Sequence, residues 1–349
     1  MQCFVGLVRP DTFPTGIVLR NLLGGFPLAR EFTLYYTPFS IYEDCPQQFL
    51  FSKGWGAIDV GGGPGRPKPK PFKKSEHHAV MGTVIQSAIE RFYNDNLWEL
   101  LDPVTLKECL FSLAEEAFLI EIAKRYIDWR VAPSQDEMRK IIRDSIMGYM
   151  RTLKAHRLLG VWNKAEYDLV GYINKYTPVG GRPDVIIRRD QDPCKGVTII
   201  DGKNGKRYKD GKGGWMTFTS ADQLRWYAMM FYICYKQMPD RIGFCFYRYP
   251  YGDPVIGVDG NPTGEVEQGV EWVSCTMDDI KGLAQRAVDA RKGMDKEKFE
   301  ARPDPKKCRL CEWESVCPQR QDQRAANRRS PRTTDDILDG VQGFTKLTM

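Results

Sequence analysis

The sequence predicts an α/β fold, and three observations carry that expectation. Residues 79 to 159 repeat apolar side chains at helical spacing, and residues 161 to 250 are rich in short β-branched and aromatic runs with a single helical stretch among them. A further helix opens at Thr276, where Asp279 stands in the capping position.

The chain has 349 residues, and a hydrophobic content of 42% is enough to bury a core. Its net charge of +6 permits an anionic partner without requiring one. No run approaches the roughly 18 apolar residues of a membrane span, and "MQCFVGLVRPDTFP" lacks the layout of a secretory signal. A cytoplasmic protein with no membrane partner is therefore expected. With only His77, His78 and His156 in the chain, and none at metal-ligand spacing, multi-histidine chemistry is not expected.

Residues 1–40 form a Pro- and Gly-punctuated N-terminal segment of open role, with the β-prone run "FTLYY". "GGGPGRPKPKPFKK", residues 61–74, disfavours helix and strand. It reads as a basic linker, either solvated or in contact with nucleic acid. In "TLKECLFSLAEEAFLIEIAKRYIDW" the stripe Leu106, Leu110, Leu113, Ala117, Ile120, Lys124 and Ile127 is expected to face the core. Ser134 and Glu137 then form a capping box ahead of Met138, Ile141, Ile142, Ser145 and Tyr149. "DLVGYI", "PDVIIRR", "GVTIIDGK" and "RIGFCFYRY" are expected strands, and "SADQLRWYAMMFYICYKQ" a crossover helix between the last two. Residues 321–349 read as a polar, poorly ordered tail.

Two stretches carry the chemistry. "GRPDVIIRR" is separated from "VTIIDGKNGK" so that sixteen residues lie between Asp184 and Asp201. Alternation along a strand sends Val197, Ile199, Asp201 and Lys203 to one side, and Ile200 and Gly202 to the other. If the two strands pair, Asp184 comes near Asp201 and the two offer hard oxygen ligands suited to Mg²⁺ or Mn²⁺. Such an ion activates water at a phosphodiester, and the Lys203 ammonium adds charge where negative charge develops. Taken alone, "IIDGKNGKRY" reads equally as a tight turn with solvated charges. Gln223 and Tyr227 follow four residues apart on one helical face.

The cysteines cluster late. Cys308, Cys311 and Cys317 have the spacing C-x2-C-x5-C, and Cys45 in "EDCPQQF" is the plausible fourth ligand. Zinc, an iron–sulfur cluster and unligated thiols all remain open on spacing alone. Cys3, Cys109, Cys194, Cys234, Cys245 and Cys275 stand singly and are expected to be small buried residues.

The order P-D, D-x-K, Q-x-x-x-Y resembles the PD-(D/E)xK nuclease superfamily, in particular its RecB-like branch. The early cysteine before proline and the late cysteine triplet resemble the iron–sulfur members of that branch, the AddB-type recombination nucleases and the CRISPR-adaptation exonucleases. The resemblance implies a restriction-endonuclease-like mixed sheet with flanking helices over residues 41–320, an N-terminal helical insertion, and a [4Fe-4S] cluster joining the two ends of that domain. It implies that Asp184 and Asp201 are metal ligands, that Lys203 is the catalytic lysine, and that Gln223 and Tyr227 position the site or the DNA. Cys45, Cys308, Cys311 and Cys317 would bind the cluster. The implied activity is a metal-dependent DNA nuclease, an exonuclease on ends or single strands in recombination or repair, with a possible helicase or recombination partner. Two other readings stand beside it: a catalytically weak DNA-end or single-strand binding module, and a zinc-stabilised RNA-binding protein. In "MGTVIQSAIERFY" Gln86 stands where relatives carry a histidine ligand, so Gln86 itself or Glu166 is the candidate third ligand.

Overall fold

The computed structural model describes residues 32–53, 75–99, 102–190, 195–204, 208–209, 215–216, 220–247, 255–256, 262–263, 269–304, 307–308 and 311–319. The expected basic linker at 61–74, the polar tail from 321, Cys3, Cys194 and nearly all of the N-terminal segment lie outside the described residues.

In chain order the helices and strands are α1 (Tyr36–Asp44), α2 (Pro46–Lys53), α3 (His77–Asn94), α4 (Pro103–Lys124), α5 (Gln135–Ala155), β1 (Trp162–Ala165), β2 (Leu169–Asn174), β3 (Thr177–Gly181), β4 (Val185–Arg189), β5 (Gly196–Lys203), β6 (Tyr208–Lys209), β7 (Trp215–Met216), α6 (Ala221–Tyr235), β8 (Arg241–Phe246), β9 (Val255–Ile256), β10 (Pro262–Thr263), β11 (Val270–Val273) and α7 (Met277–Asp295). The expected caps form. Ser134 Oγ accepts from the Glu137 amide, and Thr276 Oγ1 from the Asp279 amide, both at 3.2 Å. At α4 Asp102 accepts from the Val104 amide at 2.9 Å, and Pro103 opens the helix where no donor is needed.

The stripe expected on α4 is used in part: Leu106, Ala117 and Ile127 pack against the core beside buried Leu110. Leu110, Ala114 and Phe118 are buried, Ile120 is 46% exposed, and the helix ends at Lys124, short of Ile127. Apolar residues surround most of this helix, so its own periodicity does not select a face. The choice is made by α3 and α5, with the Arg139 guanidinium of α5 4.7 Å above the Phe118 ring.

The central sheet has five strands in the order β1-β4-β5-β8-β11. The pairs β1/β4, β4/β5 and β8/β11 are antiparallel, and β5/β8 is parallel across the α6 crossover. "DLVGYI" does form a strand, but outside this sheet: β2 pairs with β3 as a separate hairpin. Its place at the sheet edge is taken by "WNKA", β1, which has too few β-branched residues to announce itself. Such a mixed sheet flanked by helices is the architecture of the restriction-endonuclease-like fold.

One face of the sheet, through Val185, Ile187, Ile200 and Cys245, joins the core of α3, α4 and α5. The other face is covered by α6, whose Trp226 is fully buried, stacks on Phe39 of α1 at 5.0 Å, and donates its indole N–H to the Gly180 carbonyl at 2.9 Å. A buried tryptophan of this kind contributes about 3–5 kcal/mol against truncation, and here it anchors the helix that carries Gln223 and Tyr227. Of the single cysteines, Cys245 is buried as expected, whereas Cys109, Cys234 and Cys275 are only half-buried. Among the described residues no helix is long and apolar enough to cross a membrane.

Candidate active site

The site grows from the ends of β4 and β5. Their antiparallel register pairs Val185 with Ile200, so Asp184 and Asp201 are the next residues across the ladder. The Gly202 amide donates to Asp184 Oδ2 at 2.6 Å and fixes that carboxylate at the strand end. Alternation then acts as expected: Asp201 and Lys203 project toward α6, and Gly202 toward α3.

On the α6 side, Gln223 is the hub. Its Nε2 donates to Asp201 Oδ1 at 3.0 Å and to Tyr227 Oη at 3.2 Å, and its Oε1 accepts from Lys203 Nζ at 3.0 Å. The Lys203 ammonium also pairs with the Asp201 carboxylate. Because an amide has one acceptor end and one donor end, Gln223 can hold a cation and an anion side by side in fixed register. The four residues D-x-K and Q-x-x-x-Y thus meet in one hydrogen-bonded network.

On the α3 side lies an open cleft of about 540 Å³, lined by Thr83, Gln86, Glu90, Glu166, Asp184 and Asn204 among others. Gln86 is engaged at both ends. Its Oε1 accepts from Tyr247 Oη at 3.0 Å, and its Nε2 donates to Glu166 Oε1 at 3.0 Å. Glu166 is held in the left-handed region, φ 50°, by its amide, which donates to the Asp184 carbonyl at 3.1 Å. A non-glycine residue there is strained, a cost that other contacts must offset, and strain of this kind gathers at functional sites. The Oδ1 of Asn204 is buried with no hydrogen-bond partner, a bare acceptor on the wall of the same cleft.

The electrostatics follow from crowding acids at a strand end. Burial pushes Asp184 well above the usual carboxylate range, and the neighbouring Asp201 adds to it; the Gly202 amide opposes both. Asp201 is raised by burial as well, with Lys203 pulling the other way. Burial also raises Glu166, against the hydrogen bond from Gln86. A cluster of carboxylates that resists ionisation is one that a cation would relieve.

Gly202 is required by space. A Cβ there would come within 1.5 Å of Tyr247 Oη, since the tyrosine lies across the strand on its way to Gln86. Tyr247 is buried, and its ring meets Tyr149 edge-on at 5.5 Å, so it has little room to withdraw. Gly202→Ala is expected to lower the free energy of unfolding by about 1–3 kcal/mol, read from urea denaturation. An unchanged midpoint would show that Tyr247 moves aside freely.

The cysteines are also brought together. Cys45, in the break between α1 and α2, lines one cavity of about 290 Å³ with Cys308, Cys311 and Cys317. The junction is tied by Tyr42 Oη donating to the Lys298 carbonyl at 2.9 Å, by Lys307 on Asp44 at 2.5 Å, and by Phe51 against Trp313 at 5.5 Å. The Cys311 thiol is raised by burial and by the three cysteines around it. The Asp304 amide donates to Cys308 Sγ at 3.3 Å. Among the described residues, no three His, Cys, Asp or Glu side chains are drawn close enough to grip a metal ion by themselves, here or at the carboxylates.

Three residues of the cleft escape a reading of the sequence. Glu90 follows Gln86 by one helical turn, so helical spacing alone points to it. Asn204 directly follows the D-x-K lysine and is easily taken for a turn residue. Tyr247 reaches the site only because β8 lies parallel to β5, and no local signal marks it.

His77 and His78 open α3; His77 is buried beside Ser75, whose hydroxyl lies 3.0 Å from His77 Nδ1, and neither lines the cleft. Comparison with curated proteins gives no match. The family model of the PD-(D/E)XK nuclease superfamily, however, matches residues 36–318, from the first turn of α1 to just past Cys317. With the paired aspartates, the lysine and their glutamine hub inside that span, the chain belongs to the PD-(D/E)XK nuclease superfamily.

Proposed function

We propose that this protein is a metal-dependent deoxyribonuclease of the RecB-like branch, an exonuclease on DNA ends or single strands, with a structural [4Fe-4S] cluster and a role in DNA recombination, repair or processing. The observation that carries the reading is the network in which Gln223 joins Asp201 to Lys203, with Asp184 across the ladder. Membership of the superfamily supplies the nuclease chemistry, and its members typically use Mg²⁺ or Mn²⁺.

The residues fit such an ion. Asp184, Glu166 and the Asn204 Oδ1 line the cleft as hard oxygen donors, and Asp201 stands beside Asp184 across the ladder. Mg²⁺ keeps several waters and takes one or two carboxylates plus substrate phosphate. When bound, the ion would polarise the phosphodiester and acidify a water. Lys203 places its ammonium where charge develops on the phosphoryl oxygens. Gln223 holds that ammonium against Asp201, and Tyr227 fixes the orientation of the Gln223 amide.

Gln86 serves in this reading as a support for Glu166, because both ends of its amide are occupied by protein groups. Glu166→Gln is expected to raise the half-saturating Mn²⁺ concentration for cleavage by roughly 100-fold or more, and Gln86→Ala by a smaller factor of roughly tenfold, as for a supporting contact. Coincident titration curves for wild type and Glu166→Gln would remove Glu166 from the metal's surroundings.

The test of the function is digestion of end-labelled single- and double-stranded DNA, and of RNA, with Mg²⁺, Mn²⁺ or chelator. Metal-dependent release of short products from free ends is the expected result. Binding without cleavage in every metal would favour the DNA-end clamp, and cleavage of RNA alone would sink the deoxyribonuclease reading. A helicase or recombination partner belongs to the same proposal, since such activities supply ends and single strands.

A further inference from the structure

The hairpin β2–β3 leaves the molecule between two residues of the cleft. Glu166 stands just before β2, and Asp184 just after β3. Asp168 and Arg182 close its base with a two-pronged ion pair at 2.8 and 2.9 Å.

The two faces of this hairpin differ in a way the register explains. Leu169 pairs with Gly181, and Gly171 with Val179, and this face meets α6: a Cβ on Gly171 would strike Ile233, and one on Gly181 would press on Met230. Val170 pairs with Gly180, and Tyr172 with Pro178, so these four lie on the opposite face. The Tyr35 ring sits directly on Gly180. That outward face exposes Val170 by 55% and Tyr172 by 63%, and the turn beyond it exposes Tyr176 by 68%. The Lys175 ammonium stands 4.7 Å from the Tyr176 ring centroid. Arg182 lies within electrostatic reach of both Tyr35 and Glu166, and so joins the face to the cleft.

The tyrosines are not what shapes the turn. The turn is already shaped by Asn174, whose Oδ1 accepts from the Tyr176 amide at 2.9 Å. Exposed aromatic rings with the Lys175 ammonium beside them are a surface that suits unpaired bases on a phosphate backbone.

We infer that the outward face of the β2–β3 hairpin, Tyr35, Tyr172 and Tyr176 with Lys175 and Arg182, is a stacking track that guides single-stranded nucleic acid into the cleft. The substrate class rests on the nuclease reading above; the track itself rests on the register and the exposure. Bases stack on the rings and the Lys175 ammonium contacts a flanking phosphate, while Arg182, paired with Asp168, closes the base of the track. Duplex bases are already stacked on one another, so a duplex gains little from the same rings.

The test uses the full chain and the variants Tyr172→Ser, Tyr176→Ser and Tyr172→Phe, all at exposed positions where folding is not at stake. Affinity for a labelled single strand of about 16 nucleotides is measured in chelator, beside a duplex of the same length. Hydrolysis of bis(p-nitrophenyl) phosphate with Mn²⁺ reports the cleft without the track. The expected result is a Kd for the single strand raised roughly tenfold for each serine variant, retained by Tyr172→Phe, with duplex binding and small-substrate hydrolysis unchanged. An unchanged single-strand Kd, or an equal loss on duplex, overturns the track. If the wild type hydrolyses neither DNA nor the small phosphodiester, the nuclease reading falls, while the binding series in chelator still decides the track.

Discussion

Asp201→Asn and Lys203→Ala are each expected to lower metal-dependent DNA cleavage by at least about 10³-fold, a loss of the size seen when one preorganised electrostatic contact to a transition state is removed, compounded by loss of a metal-ion ligand or charge. The geometry separates chemistry from folding. Asparagine at 201 keeps the side-chain volume and an oxygen that still accepts from Gln223 Nε2, but it removes the negative charge. Lys203→Ala leaves Gln223 its bond to Asp201 and deletes only the ammonium beside that carboxylate. Single-strand binding in chelator should survive both changes. The stability of Asp201→Asn carries a further sign. Burial raises the Asp201 carboxyl above its ordinary value near 3.8, so the folded state favours the protonated form. That contribution is present below the unfolded value and is lost as pH rises through the folded one. Metal-free Asp201→Asn should therefore gain stability relative to metal-free wild type as pH rises above about 4. Undiminished cleavage by Asp201→Asn would remove the nuclease chemistry from these residues.

The second large effect is expected at the cysteines. On the proposed iron–sulfur reading the purified protein is brown, and Cys45→Ala or Cys311→Ser is expected to bleach it, lower its iron content and reduce the thermal midpoint by roughly 10 °C or more, since metal-binding free energy at such a site is folding free energy. The reason lies in what the site joins. Cys45 sits between α1 and α2, whereas Cys308, Cys311 and Cys317 come from the chain after α7, and the two segments otherwise meet through Tyr42, Lys307 and a few aromatic contacts. Burial and the cysteines around it make the Cys311 thiol resist ionisation, and a cationic core removes that cost. Zinc in place of iron would leave the protein colourless with the same stability loss. Equal iron content in Cys45→Ala would exclude that residue from the set.

The contrast between α4 and α5 illustrates where a sequence speaks plainly. In α5 polar residues bracket a single apolar stripe, so Met138, Ile142, Ser145 and Tyr149 are buried as their spacing requires. In α4 apolar residues occur on nearly every side, and the buried line Leu110, Ala114, Phe118 is selected by its neighbours. The helices α1 and α2 were not legible at all, because the proline after Cys45 and the aromatic run before it resemble loop and strand. The strand "DLVGYI" was recognised, but its partner was not. A strand pairs with whatever edge the chain brings to it, and here the nearest edge was β3, thirteen residues from start to end of the hairpin.

Local rules were enough to mark the residues of the proposed site. Strand alternation placed Asp201 and Lys203 on one face and Gly202 on the other, and helical spacing placed Gln223 beside Tyr227; both are local rules that hold in any tertiary setting. Tertiary structure alone decided how those residues are held. The parallel pairing of β5 with β8 brings Tyr247 across Gly202, and that tyrosine occupies the oxygen of Gln86, whose nitrogen in turn fixes Glu166. Gln86 was read as a possible ligand because its place on α3 was visible and its partners were not. The partners come from positions 80 and 161 residues away in the chain, and contacts at that separation are set by packing of the sheet against α3, a physical event that no local pattern encodes.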